Sequence, residues 1–134
     1  MNIEIIVDHI ISTVKTVSAL NGRVGLVVGG KDLDPINKNL TRPACWVVYT
    51  GDDNETPSEF SPGCDMMKIN FEVRVLIDYD NENNLKATHL PLLHTIASTL
   101  RGTSPILGTK WVYEGQYLLE LTGERMVWNQ NYSV

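Results

Sequence analysis

The chain has 134 residues, 43% of them hydrophobic and 20% charged, which suits one folded domain that needs no disulfide or metal to hold together. No apolar run approaches the roughly 18 residues of a membrane span, and the start, MNIEIIVDHIISTVK, lacks the basic region and small-residue cleavage site of a signal peptide. The net charge of −5 has the wrong sign for a phosphate-binding face, and Lys and Arg are scattered along the chain.

Ile3, Ile6, Val7, Ile10, Val14, Val17 and Leu20 recur at steps of three and four, so residues 3–20 are expected to form an amphipathic helix. Asn21-Gly22 ends it, with Gly22 suited to a left-handed cap. RVGLVVGG (23–30) is β-branched and bounded by glycine, which predicts a strand; KDLDPINKNL then reads as a loop or a short helical turn. A second strand is expected over PACWVVYTG (43–51), followed by a long polar loop, DDNETPSEFSPGCD (52–65), of a length that is usually functional or mobile. MKINFEVRVLIDY (67–79) alternates cleanly. Ile69, Phe71, Val73, Val75 and Ile77 point to one face and Asn70, Glu72 and Arg74 to the other, as in a half-buried antiparallel strand.

After DNENN comes a second helical stripe, Leu85, His89, Leu92, Leu93, Ile96 and Leu100, closed by Gly102. Pro91 is harmless there if the helix begins near His89 or Leu90, because the first turn has no use for its missing N–H. TKWVYEGQYLLEL and ERMVWNQNYSV then form a terminal hairpin across Thr122-Gly123, with Met126, Trp128, Tyr132 and Val134 on one face of the last strand. The expected fold class is α+β: a single mostly antiparallel sheet packed against two α-helices, in the order α-β-β-β-α-β-β, spanning residues 1–134 as one domain.

Motifs for chemistry fail in their context. Gly25, Gly30 and Lys31 fit the spacing of a phosphate-binding loop, but Asp32 stands where Ser or Thr must hold magnesium, and Leu26, Val27 and Val28 read as strand interior. His9, His89 and His94 lack the close ligand pairs of a zinc site. There is no GxSxG elbow. Cys45 and Cys64 form no CxxC pair and fit reduced thiols, Cys45 as a small core residue. The acidic clusters at Asp52-Asp53-Asn54-Glu55 and Asp78-Tyr79-Asp80-Asn81-Glu82 lack the ligand pattern of a calcium loop and read as solvated loop tips. No catalytic, metal-binding or cofactor-binding residue is therefore assigned, and no cofactor is expected. Trp128 reads as a core aromatic or as an interface anchor.

The whole pattern resembles a known family. The helix and short strand lead to GGKDL (29–33), then PACWVV (43–48), a Gly/Pro loop, FEVRVLI (71–77), a second helix and the closing LLELTGERMVW (118–128). This order is similar to the tail terminator (tail completion) proteins of long-tailed bacteriophages over nearly the full chain, with departures in sparse arginine and in the NQNYSV ending. The resemblance implies a structural virion protein and not an enzyme. Six copies would form a ring that caps the tail tube, stops its polymerisation and presents the head-joining surface. Another phage neck or head-completion connector, or more remotely a small α+β enzyme or ligand-binding domain, are the alternatives. The implied partners are further copies of the chain, the tail tube protein, the head-tail connector or stopper and, as a further class, the tail sheath protein. DNA would pass through the ring without specific binding, and no membrane is involved. The implied location is the tail-neck region of the virion, with assembly in the host cytoplasm. On this reading the candidate interface residues are Asp52, Asp53, Glu55 and Phe60 in the long loop, with Arg125, Val127, Asn129 and Asn131 on the free face of the last strand.

Overall fold

The computed structural model of the chain describes residues 3–27, 43–55, 66–78, 81–105, 108–123 and 125–134. Helix α1 (Ile3–Lys15) buries Ile6, Val7, Ile10 and Val14 and leaves Asp8 and Lys15 exposed. Each of these apolar side chains contributes about 1.5–3 kcal/mol by leaving water. The α-helix stops earlier than the stripe suggests. A 3-10 turn (Ser18–Leu20) follows, and it seats Val17 and Leu20 in the same core. The chain then reverses through Asn21 and Gly22, with φ of 49° and 75°, the conformation that the glycine makes cheap.

Five strands follow: β1 (Val24–Val27), β2 (Ala44–Glu55), β3 (Met66–Asp78), β4 (Val112–Thr122) and β5 (Arg125–Ser133). They form one sheet in the order β1-β2-β3-β5-β4. Three of the four pairings are antiparallel; β1 and β2 run parallel, so the sheet is mixed. β2 continues past Gly51 to Glu55, so the expected polar loop begins as strand. A register shift between Tyr49 and Gly51, where φ of Gly51 is 129°, lets the ladder resume beyond the glycine, because ladder hydrogen bonds come from the backbone whatever the side chains are. The rest of the expected loop, and GGKDL, lie outside the described residues.

The second helical region starts before Leu90. Asn81 caps a short turn, α2 (Glu82–Asn84), through a 2.8 Å bond from the Asn84 N–H. A π-type turn (Leu85–His89) leads directly into helix α3 (Leu90–Arg101). Pro91 sits in the first turn of α3, and the wider π-turn before it accommodates the lost N–H. α3 buries Leu92, Leu93, Ile96, Ala97 and Leu100.

One face of the sheet packs under α1 and α3. Cys45 and Val47 of β2, the expected row Ile69, Phe71, Val73, Val75 and Ile77 of β3, and Met126 and Tyr132 of β5 join the helix residues there, with Trp111 between His9, Phe71 and Tyr132. The opposite face carries a second, smaller buried cluster of Ala44, Trp46, Leu76 and Val127. No described helix is long and apolar enough to cross a membrane.

Candidate protein-protein interface

The sheet order moves the last strand to the interior and places β4 at the edge, paired with β5 alone among the described strands. Thr122 pairs with Arg125, so Gly123, with φ of 60°, takes the first of the two turn positions, one residue later than the sequence suggests; the primed hairpin turns favour a positive φ there. Two register shifts, between Tyr113 and Gly115 and between Leu118 and Glu120, bend β4 against its partner. Polar contacts hold it in place. The Glu114 carboxylate lies 2.6 Å from Lys68 Nζ and accepts a 3.0 Å hydrogen bond from Ser133 Oγ; the Lys68 and Ser133 contacts hold it below the usual carboxylate range. Glu120 lies 3.5 Å from Arg125.

On the helix side a buried polar relay joins three elements. Gln130 Nε2 donates to the Leu93 carbonyl at 2.8 Å and to Gln116 Oε1 at 3.1 Å, and Gln130 Oε1 accepts from Tyr132 Oη at 2.8 Å. Arg101 lies over the Tyr113 ring, 5.9 Å from its centroid. These contacts tie α3 to β5 and to the first half of β4. The second half of β4 is left in the open: Tyr117, Leu118, Leu119 and Leu121 are 46, 40, 41 and 56% exposed, and Val112, at the other end, 53%. The register puts Leu118 opposite Trp128 and Leu121 opposite Met126 on the helix side, and Tyr117 opposite Asn129 on the far side. Such a strand, at the end of the sheet, presents a backbone edge that meets no other described strand, together with on the order of 400 Å² of apolar surface, a scale at which patches on monomers are often functional.

Among the expected interface residues, Asp52 is exposed and accepts a hydrogen bond from Tyr49 Oη. Asp53 and Glu55 lie on the extended end of β2, paired with Lys68 and Met66, and their side chains are outside the described set, as is Phe60 altogether. Arg125 is mostly covered and paired with Glu120. Asn131 is half-buried and accepts a 3.1 Å bond from Asn129 Nδ2. Val127 and Asn129, expected on a free face, are 1 and 0% exposed. The expectation is corrected by burial: Val127 packs into the second cluster on the far face, and Asn129 is enclosed and bonded to Asn131. The surface β5 was meant to supply lies one strand outward. The signal was present in YLLEL, where apolar residues at three consecutive positions break the period of two.

The arrangement offers little chemistry. Burial pushes the Cys45 thiol far up, which keeps it protonated and inert. His9 bonds to Thr103 Oγ1 at 2.9 Å and stacks on Trp111, and burial lowers its pKa. Among the described residues no three His, Cys, Asp or Glu side chains gather as a metal site. A cavity of about 440 Å³ between the end of α1 and the α2–α3 region is lined by hydroxyls and small apolar groups, with no ionisable side chain. Compared with known protein families, the chain matches none, and no curated protein matches it.

Proposed function

We propose that the chain is a structural subunit of a phage tail terminator ring. It caps the tail tube, stops its growth and presents the surface that joins the head. The observation that carries this reading is β4: an eleven-residue edge strand whose second half exposes Tyr117, Leu118, Leu119 and Leu121 in the isolated subunit. Such an edge is a liability in a solitary protein and an asset in one that assembles. Identical subunits that meet head to tail form a ring when the rotation from one to the next closes. The family resemblance of the sequence supplies the tail as the setting. The acidic net charge supports the rest of the reading, since a channel of like charge lets DNA slide through without being held.

The test is electron microscopy of the purified protein, followed by its addition to polymerising tail tube protein. Six-fold rings that end the tubes are the expected result. A chain that stays solitary at high concentration beside tube protein overturns the reading. The assembled ring is further expected to bind duplex DNA weakly; tight binding with a steep salt dependence contradicts a passive channel.

A further inference from the structure

The two edges of the sheet differ in a way that fits them to each other. β1, at the end opposite β4, has Gly25 in its middle, and its cross-strand partner is Trp46. Without a side chain at residue 25, an open pocket of about 310 Å³ remains beside the indole, walled by Arg23, Val24, Gly25, Ala44 and Trp46. A Cβ at residue 25 would lie 3.4 Å from Trp46 Cδ1, so even a small side chain begins to fill this space. Arg23 is already engaged, its Nε donating to the Pro43 carbonyl at 2.8 Å. The pocket therefore offers an apolar wall and the rim of an indole that is itself 8% exposed, with one Arg23 donor already used.

On β4, Tyr117 lies on the far side of the sheet, opposite Asn129, and is 46% exposed. The indole of the pocket lies on the same side, since Trp46 belongs with Leu76 and Val127 in the far-side cluster. The strand directions also agree. β1 and β2 run together, β3 opposes them, β5 opposes β3, and β4 opposes β5. β4 is thus antiparallel to β1 across the sheet, so two copies set side by side in the same orientation meet through the more stable kind of ladder. With Tyr117 beside Gly25, the helix side of the joint brings Leu118 near Val24 and Leu26, the last of which is 40% exposed. Pairing of β4 with β4 about a two-fold axis meets like charges in two registers: centred on Tyr117 it sets Glu114 against Glu120, and centred on Glu120 it sets that carboxylate against itself.

We infer that β4 of one copy joins β1 of the next in an antiparallel ladder, with Tyr117 filling the pocket left by Gly25 beside Trp46. This deepens the ring reading and rests on it: the contact is head to tail, so each subunit gives one tyrosine and receives one.

Two variants test it by sedimentation velocity, each confirmed folded by its thermal melt. Tyr117→Ala removes the knob and Gly25→Leu fills the hole, and each alone is expected to weaken self-association at least tenfold. Because Leu at residue 25 presses on Trp46, Leu26→Asp at the same edge serves as a second hole-side variant. Mixed in equal amounts, the knob and hole variants retain one good joint between them and are expected to form 1:1 pairs that grow no further. If wild type assembles and the single variants assemble equally well, this joint is wrong and the ring reading stands. If Gly25→Leu alone forms stable dimers that Tyr117→Ala cannot form, pairing is β4 to β4 and the inference falls. A wild-type chain that stays monomeric at tens of micromolar overturns both.

Discussion

Gln130 shows how much one side chain decides in this molecule. It is fully buried, and all of its amide is used, donating to Leu93 and Gln116 and accepting from Tyr132. Tyr132→Phe keeps the ring packed but leaves the Gln130 oxygen without that donor. The expected cost is about 1–3 kcal/mol, the penalty of a buried acceptor stripped of its bond, seen as a lower midpoint in urea with an unchanged slope. His9 makes a different prediction. Burial lowers its pKa from 6.5, so the folded chain binds this proton less readily than the unfolded one. Its contribution is complete above 6.5 and is lost as pH falls below that value toward the lowered folded-state pKa. Thermal midpoints of wild type are expected to drop between about pH 7 and 5.5 more steeply than those of His9→Asn. Glu114 acts in a separate window: its pKa is lowered from 4.5, so its share is lost only in stronger acid.

Elements explain which sequence signals were read correctly and which were not. The three-and-four spacing in α1 and α3 and the alternation in β3 were legible because a single element's period shows which face its neighbours cover. β2 ran longer than its apolar stretch because Gly51 absorbed a register shift that side-chain polarity does not report. The stripe that begins at Leu85 is helical throughout, and a short turn and a π-turn carry helical structure back to Glu82, ahead of Pro91. On β5, Trp128 is half-buried, packed against the main core, and its neighbour across the ladder is the exposed Leu118. It serves the core first. Trp128→Ala is expected to cost about 3 kcal/mol, the low end for truncation of a tryptophan, because part of the ring is already in water. A variant that melts like wild type and only fails to assemble would instead make Trp128 an interface anchor.

For the whole molecule the deciding feature is strand order. The pairing of β3 with β5, strands far apart in sequence, puts β5 inside, and the terminal hairpin then leaves β4 outside. The residues expected to meet partners, Val127 and Asn129, are buried, while Leu118 and Leu121 are left at the rim. The double change Leu118→Lys with Leu121→Lys is expected to leave the unfolding free energy of the subunit within about 1 kcal/mol of wild type, since both positions are exposed. Particles seen by sedimentation should fall to the size of a single chain. Unchanged assembly would move the interface away from β4.

From the sequence alone come the α+β class, two amphipathic helices, the alternating central strand and the closing hairpin, because each depends on periodicity or turn chemistry within a few neighbouring residues. Only the tertiary structure decided that β1 and β2 run parallel, that the last strand lies in the interior, and that the YLLEL segment forms an edge opposite a glycine-walled pocket. Those outcomes depend on which distant strands share a ladder, and a strand's own residues carry the same pattern whether it pairs on one side or on two.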